Sequence, residues 1–453
     1  MKNKKQTLSL CMIVKNEEQF IKDCLESVKD SVDQIVILDT GSTDRTLEIV
    51  KNYNAEIHYF DWCDDFAKAR NESIKFATSD WILWMDADER LSPESGVILR
   101  NELSTIQKPV IYQVQINNKT SDAASAYLST AYRLFKNNFG IGFKGRIHEQ
   151  LGFDSKFSKP EIRRSGVIID HLGYAVDDNL KSQKNIRNLK LLKTMTSENP
   201  NDAYAHFTLG QQYNLNEEFA LAIEHFEKAV KLKQFEKTMT ASLHNVLAES
   251  YFKSGDYKSA KENADRSIKA VKDQVGGYYM LYRIADKNEL YNEAILAVDS
   301  MIKNGILLQK NGWQISTDVI IDTDKLNYTK AVLLEKSSDH YGAFQVLYEL
   351  ANGEKVNEEV LNKAIQLALN LSQIHEATDL LKKLIKFNPD RLDAIDTLGT
   401  IFIKLQNFQQ AIEVYEGLHE KSPDNEKVSR RLAGLYLKVG QESKASKLLQ
   451  LAV

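Results

Sequence analysis

Residues 81–88 read Trp81-Ile82-Leu83-Trp84-Met85-Asp86-Ala87-Asp88, an apolar run that ends in two carboxylates. Five apolar residues bounded by polar ones are too few for a helix, so the pattern predicts a buried strand that carries both carboxylates at its C-terminal end. Open sheets of parallel strands bind ligands at that edge. Two carboxylates one residue apart can hold a divalent cation such as Mn²⁺ or Mg²⁺, which takes oxygen ligands and bridges phosphates. The stretch therefore indicates a cation and nucleotide site.

Short apolar runs alternate with helical stretches from residue 8 to about residue 173. This alternation predicts a Rossmann-like α/β domain with a mainly parallel sheet and right-handed crossovers. The predicted strands are 8–14, 34–38, 56–60, 81–85, 111–116, 131–135 and 167–171, and the predicted helices are 18–29, 43–53 and 66–77.

The second half of the chain repeats with a fixed period. Ala343, Ala377, Ala411 and Ala445 are spaced by 34 residues, which is the period of tetratricopeptide repeats. The pattern predicts about seven stacked helical hairpins from about residue 199 onward, an all-α solenoid. It also predicts an atypical insertion near residues 304–324. The alternative is an ordinary helical bundle whose spacing is accidental.

Composition narrows the function classes. The formal net charge of −4 over 453 residues argues against a nucleic-acid-binding protein. The apolar stretch at 8–14 is too short for a signal peptide or a membrane span, so we expect no integral membrane segment. Cys11, Cys24 and Cys63 have no C-x-x-C spacing, which favours a reducing compartment and a cytoplasmic location.

A second candidate loop follows the strand predicted at 34–38. Asp39 stands at the end of this strand, where its carboxylate can accept hydrogen bonds from a base N–H or a ribose hydroxyl. We favour this role because a buried carboxylate is costly unless something binds it. Gly41 permits a tight turn, and we expect Ser42 or Thr43 to cap the next helix.

Five motifs follow one another in the first part of the chain, at residues 12–18, 39–44, 65–71, 86–89 and 146–150. Together they resemble the family 2 glycosyltransferases with a GT-A fold, in particular bacterial members whose catalytic domain is followed by tetratricopeptide repeats. One departure is Thr40, where many relatives carry a second acidic residue. The resemblance implies a catalytic domain over 1–178, a helical connector over 179–200 and a repeat domain over 201–453.

The resemblance implies a uridine diphosphate (UDP) sugar donor. Asp39 would lie near the uracil, and Val14 and Glu17 would line the base or ribose pocket. Arg70 would contact phosphate or ribose, since a guanidinium fits phosphate through its planar donors. The alternative for Arg70 is an exposed charge on a helix surface.

The resemblance also implies how Mn²⁺ or Mg²⁺ would be held. Asp88 is the favoured metal ligand, and Asp86 is the favoured ribose or water-mediated partner. His171, at the end of the strand predicted at 167–171, is a third possible ligand. Its alternative role is that of a buried core histidine.

An inverting transfer needs a base that deprotonates the acceptor. Glu149 is the candidate base, because it lies in the region where relatives place that residue, and His148 is the alternative. The preceding glycine-rich segment, 139–145, is expected to be a loop that forms one wall of a cleft. The competing interpretation is that Glu149 merely pairs with Arg146 at the surface.

The resulting hypothesis is transfer of a glucose-type or N-acetylglucosamine-type sugar to a polypeptide side chain, Cys or Ser/Thr, with the repeats recruiting the acceptor. Relatives of this layout include S-glycosyltransferases of bacteriocin precursors. Tyr204, His206 and Tyr279 lie off the repeat pattern and are candidate surface contacts. The alternatives are a transferase for cell-envelope glycans or lipid-linked sugars, and a non-catalytic repeat scaffold. The repeats can also form a homodimer.

Overall fold

A computed structural model of the chain describes residues 6–103, 108–119, 127–172, 178–311, 322–355 and 357–451. Two compact units divide within the repeat region. The first extends to Val271, and the second begins at Lys272. The first unit therefore contains the sheet and the first repeat helices. The domain boundaries at 178 and 200 stay predictions.

The first unit is built on an eight-stranded sheet with the strand order β3-β2-β1-β4-β7-β6-β10-β5, and β8 and β9 form a separate hairpin. Four of the seven pairings are parallel, and β7 is antiparallel to both its neighbours. The mainly parallel sheet is thus confirmed. The strands are β1 (Leu8–Val14), β2 (Gln34–Asp39), β3 (Glu56–Tyr59), β4 (Trp81–Trp84), β5 (Glu89–Leu91), β6 (Val110–Asn118), β7 (Tyr127–Lys136), β8 (Ile141–Lys144), β9 (Gln150–Phe153) and β10 (Glu161–His171).

Both faces of the sheet are covered, which explains its apolar central strands. Along β1, Leu10 and Met12 lie in one fully buried cluster with Trp81, whereas Cys11 lies in a second cluster with Ile82. The first four predicted strands are confirmed to within one residue. The helices of this part are α1 (Ile21–Val28), α2 (Thr46–Val50), α3 (Phe66–Lys75) and α4 (Ser95–Glu102).

The glycine-rich segment at 139–145 is not a loop, so that prediction was wrong. Residues Ile141–Lys144 form β8, which pairs with β9 in an antiparallel hairpin. Phe143 is buried against Phe135 and Trp84, so packing on the sheet fixes this strand. The turn of the hairpin contains Glu149.

The rest of the chain is helical. After a long helix, the described residues contain seven helical hairpins, as the 34-residue spacing predicts. At Gly210 and Gly399, an added Cβ would lie 2.6 Å from the ring of Phe226 or Tyr415, so the helices approach closely there. The helices are α5 (Asp178–Glu198), α6 (Ala203–Leu215), α7 (Phe219–Leu232), α8 (Lys237–Ser254), α9 (Tyr257–Ala270), α10 (Gly276–Lys287), α11 (Tyr291–Asn311), α12 (Thr323–Lys336), α13 (His340–Ala351), α14 (Glu358–Asn370), α15 (Ile374–Phe387), α16 (Leu392–Lys404), α17 (Phe408–Lys421), α18 (Glu426–Lys438) and α19 (Glu442–Leu451).

The predicted insertion near 304–324 falls between α11 and α12, and its residues 312–321 lie outside the described residues. Among the helices of the described part of the chain, none combines the length and the apolar character needed to cross a membrane.

Candidate active site

The loops that follow β1 and β2 are hydrogen-bonded to each other. Val14 and Asp39 are partners in the parallel register. The N–H and the hydroxyl of Thr40 each donate to the Val14 carbonyl at 3.0 Å, and the Glu17 N–H donates to the Thr46 hydroxyl at 2.7 Å. The three residues expected to line the nucleotide pocket, Val14, Glu17 and Asp39, therefore share one edge of the sheet.

The Asp39 carboxylate is buried, and it accepts hydrogen bonds from the backbone. The N–H groups of Gly41 and Ser42 each donate to it at 3.1 Å. Gly41 has φ +102°, a left-handed conformation that glycine adopts without strain. Asp39 therefore orders the loop, and its predicted contact with the uracil stays a prediction.

Ser42 and Thr43 do not cap α2, so that expectation was wrong. Instead, the Ser42 hydroxyl accepts the Asn16 N–H at 3.1 Å, and the Thr43 N–H donates to Asn16 Oδ1 at 2.8 Å. The first residue of α2, Thr46, donates its N–H to the Asp44 carboxylate at 3.0 Å. Ser42, through its hydroxyl, and Thr43, through its backbone N–H, therefore connect the loop after β2 to the loop after β1.

Glu17 lies in the electrostatic field of the carboxylates that follow β4. Burial and then the negative charge of Asp88 raise the pKa of Glu17 to about 7. The charges meet because β1 and β4 are neighbouring parallel strands, so their C-terminal ends lie at the same edge of the sheet.

Arg70 connects the candidate base to the end of β4. It lies on α3 and is 7% exposed. Its Nη2 donates to Asp86 Oδ1 at 2.8 Å, and its Nε donates to Glu149 Oε1. The guanidinium carbon lies 4.2 Å from the ring centre of Trp84. Arg70 is thus a buried link between two carboxylates, and its interpretation as an exposed helix charge was wrong.

A second arginine, Arg133 on β7, was missed by the sequence analysis. Its Nη2 lies 3.6 Å from Asp86 Oδ2 and also donates to Glu89, which is 1% exposed. Burial alone would raise the pKa of Asp86, but the charges of Arg70 and Arg133 outweigh it and lower that pKa to about 2. Asp86 is therefore ionised throughout the physiological range.

Two features of the sequence pointed to this second ion pair. Glu89 directly follows the paired aspartates, and Arg133 interrupts an apolar strand.

Further contacts hold Glu89 and Arg133 in place. The Asp86 N–H donates to Glu89 Oε2 at 2.9 Å. The Arg133 guanidinium lies 3.5 Å from the ring centre of Trp84. Its Nε and Nη1 have no hydrogen-bond partner among the described residues.

Asp88 and His171 lie side by side. His171 Nε2 is 3.4 Å from Asp88 Oδ2, and His171 Nδ1 is 3.1 Å from Asn118 Oδ1. The hydrogen bond to Asp88 raises the pKa of His171. An amide oxygen on one ring nitrogen orients the other, an arrangement typical of metal-binding histidines. No cluster of three or more His, Cys, Asp or Glu side chains suited to a metal ion occurs in the part of the chain that the structure describes.

The turn that carries Glu149 is held from both sides. The side chain of Glu149 is 10% exposed and pairs with Arg70. Arg146 pairs instead with Glu198 on α5, so the proposed surface pair of Glu149 with Arg146 was wrong. His148 is exposed, and its backbone has φ +52°.

The predicted site residues thus form three groups within the first unit. Glu149, Arg70 and Asp86 form one ionic chain. Asp88, which follows β4, and His171, the last residue of β10, form a second pair at the same edge of the sheet. The last group consists of Val14, Glu17 and Asp39 at the ends of β1 and β2. This combination can bind a phosphorylated ligand with a cation and present a carboxylate to it.

Comparisons with known proteins identify the two parts of the chain. The Glycosyl transferase family 2 model matches residues 9–147, and a tetratricopeptide repeat model matches residues 402–453. A TPR repeat-containing protein of Synechococcus elongatus is 32% identical over 293 residues, which cover 63% of this chain and 71% of that protein.

Two further relatives are named as glycosyltransferases. The SPbeta prophage-derived glycosyltransferase SunS of Bacillus subtilis is 31% identical over 230 residues, which cover 49% of this chain and 53% of that protein. The chain thus spans about half the length of this relative. An uncharacterized glycosyltransferase of Rickettsia typhi is 28% identical over 186 residues, which cover 35% of this chain and 62% of that protein. Residues 9–147 therefore form a glycosyl transferase family 2 domain, and the chain is a glycosyltransferase in which tetratricopeptide repeats follow this domain.

Proposed function

We propose that the chain is an inverting, metal-dependent transferase that moves a glucose-type or N-acetylglucosamine-type sugar from a UDP-sugar to a Cys, Ser or Thr side chain of a polypeptide. The observation that carries this proposal is the ionic chain from Glu149 through Arg70 to Asp86, beside the pair formed by Asp88 and His171. At one end of this arrangement the Glu149 carboxylate can accept a proton. At the other end Asp88 and His171 can hold a cation that binds a diphosphate.

Glu149 is the proposed base. Arg70 fixes one carboxylate oxygen, Oε1, while no described residue donates a hydrogen bond to Oε2. The acceptor hydroxyl or thiol would give its proton to this carboxylate while its oxygen or sulfur attacks the anomeric carbon. The bond between that carbon and the diphosphate breaks on the opposite face, and UDP leaves. The exposed His148 side chain is the alternative base.

Asp88 and His171 are the proposed ligands of Mn²⁺ or Mg²⁺. Their facing atoms are 3.4 Å apart, a separation compatible with two ligands of one ion, and Asn118 orients the imidazole. Such an ion, when bound, stabilises the negative charge on the departing diphosphate. Asp86, held by Arg70 and Arg133, is the proposed ribose or water-mediated contact.

The proposed acceptor is a polypeptide because stacked helical hairpins form an extended surface of the kind that binds peptides. The donor pocket is assigned to Val14, Glu17 and Asp39, which the strand ends hold together. A thiol is a chemically easy acceptor, since it is partly ionised near neutral pH.

The test uses the full chain with Mn²⁺ and either UDP-glucose or UDP-N-acetylglucosamine, offered peptides that carry a single Cys, Ser or Thr. Mass spectrometry of the peptide identifies a transferred sugar. Glu149→Gln is expected to lower turnover by roughly 10²- to 10⁴-fold while UDP affinity is retained. Asp88→Asn is expected to lower both turnover and the Mn²⁺-dependent part of UDP affinity.

A matched control is Glu72→Gln on the surface of α3, where Glu72 pairs only with Lys75 among the described residues. This variant is expected to behave as the wild type. Wild-type turnover in Glu149→Gln would remove Glu149 as the base. Full activity in the presence of a strong chelator would remove the metal from the proposal.

A further inference from the structure

The turn that carries Glu149 packs against α5, the long helix before the repeats, and against the first repeat helix, α6. We call residues 145–149 the base turn. Its apolar side chain, Ile147, is 5% exposed and lies in one buried cluster with Leu191 and Leu192 of α5 and Phe207 of α6. The tip of the β8–β9 hairpin is thus part of a core that consists mainly of repeat residues.

Polar contacts hold the same turn from α5 and α3. Arg146 donates from Nε to Glu198 Oε2 at 2.8 Å and from Nη2 to Glu198 Oε1 at 2.5 Å. It also donates from Nη1 to the Asp64 carbonyl at 3.2 Å. The Arg146 carbonyl accepts the Phe66 N–H, at the start of α3, at 2.8 Å. A bidentate pair fixes orientation as well as distance.

Tyr204 on α6 contacts the residue next to Glu149. Its hydroxyl donates to the His148 carbonyl at 3.2 Å. His148 has φ +52°, a left-handed conformation that strains a non-glycine residue and persists only where the surroundings impose it. Because the His148 carbonyl belongs to the peptide group that leads into Glu149, this hydrogen bond helps to set the direction of the Glu149 side chain.

We propose that Tyr204 is a positioning residue for the transfer reaction, and that α5 and α6 are a working part of the transferase site. This inference rests on the proposed role of Glu149. Tyr204 holds the base turn through His148, and the turn in turn holds Glu149 against Arg70. The first repeat thus serves catalysis in addition to any contact with an acceptor.

The experiment compares Tyr204→Phe with the full-length wild type. The substitution removes one hydroxyl and keeps the ring, which packs beside Phe207. Hydrolysis of UDP-glucose or UDP-N-acetylglucosamine, in which water takes the sugar and UDP is released, is measured over a range of donor concentrations with Mn²⁺. We expect kcat to fall roughly five- to tenfold, as for loss of one hydrogen bond, with the donor KM, the UDP Kd and the thermal midpoint unchanged.

Tyr251→Phe is the matched control. The Tyr251 hydroxyl donates to Glu227 at 2.6 Å, so this variant also removes a tyrosine hydroxyl bond from the first unit, but one between repeat residues. Its kcat is expected to equal that of the wild type. A similar fall in kcat in both variants would overturn the inference, because it would show a general effect of loosening the repeats.

Two outcomes separate this inference from the proposed function. Wild-type kcat in Tyr204→Phe beside an inactive Glu149→Gln overturns the role of Tyr204 alone. Wild-type turnover in Glu149→Gln overturns the proposed base, and the inference with it. If Tyr204→Phe does not fold, Glu198→Gln tests the same turn from α5. An unchanged kcat in that variant would then contradict the inference.

Discussion

The first and the last hairpins of the repeat array share one sequence pattern but pack against different partners. In the first unit, the buried cluster of α5–α8 includes Ile147 from the transferase sheet domain. In the second unit, the cluster of α12–α19 contains repeat residues only. The division between the compact units falls at Val271, inside the array. The comparison shows that the first repeats share a buried core with the transferase domain, whereas the later ones form a core of their own.

The largest expected effect is that of truncation. A chain that ends after Val271 keeps the cluster around Ile147, so we expect it to fold and to release UDP from the donor with a kcat close to that of the full chain. A chain that ends near residue 180 lacks that cluster and exposes Ile147. We expect it to be insoluble or to lose more than about 100-fold in kcat, since misplacement of about 1 Å can cost that much.

These two truncated chains are compared by circular dichroism and by UDP release. Equal activity of both would show that the repeats have no part in the site. Loss of activity in both would show that the second unit is also needed for the chemistry.

The next effect comes from single core residues. Ile147→Ala and Ile412→Ala remove the same atoms from buried sites in the first and second units, where the side chains are 5% and 3% exposed. We expect each to lower the free energy of unfolding of its own unit by about 2–4 kcal/mol. Because Ile147 is part of the base turn, its variant alone is expected to lower kcat at a temperature where both proteins are folded. Calorimetry and UDP release measure the two quantities, and an equal kcat in both variants would contradict this account.

The smallest expected effect comes from a glycine pair at equivalent repeat positions. In Gly210→Ala the new methyl would lie 2.6 Å from the Phe226 ring, and in Gly399→Ala it would lie 2.6 Å from the Tyr415 ring. Overpacking of this kind costs about 1–3 kcal/mol. We expect similar losses of stability, with a fall in kcat of about twofold confined to Gly210→Ala. A larger fall in kcat in Gly399→Ala than in Gly210→Ala would contradict the expected difference between the two units.

Local sequence pattern predicted β1–β4 and the helical hairpins, because the periodicity of each lies within a short stretch of sequence, but it missed β5 and the β8–β9 hairpin. It placed Asp86 and Asp88 at a strand end and predicted the 34-residue period. The contacts that complete the site are long-range. Arg70 meets Glu149 across 79 positions, and Arg133 meets Glu89 across 44.

The interpretation of the base turn shows why such contacts escape a local analysis. Ile147 stands between Arg146 and His148, and these neighbours do not identify its packing partners, since Leu191 and Phe207 lie on helices much later in the chain. His206, expected at the surface, is buried and lies 2.8 Å from His225 through their Nδ1 atoms. Polar residues on a repeat helix can be buried by a neighbouring helix that the pattern does not identify.

The most direct test of the central claim is a crystal structure of the full chain with UDP and Mn²⁺. The account predicts Mn²⁺ within about 2.5 Å of an Asp88 carboxylate oxygen, with the His171 imidazole and the diphosphate as further ligands and the uracil beside Asp39. Glu149 would remain paired with Arg70. A nucleotide bound away from this sheet edge, or Asp86 and Asp88 directed away from it, would contradict the account.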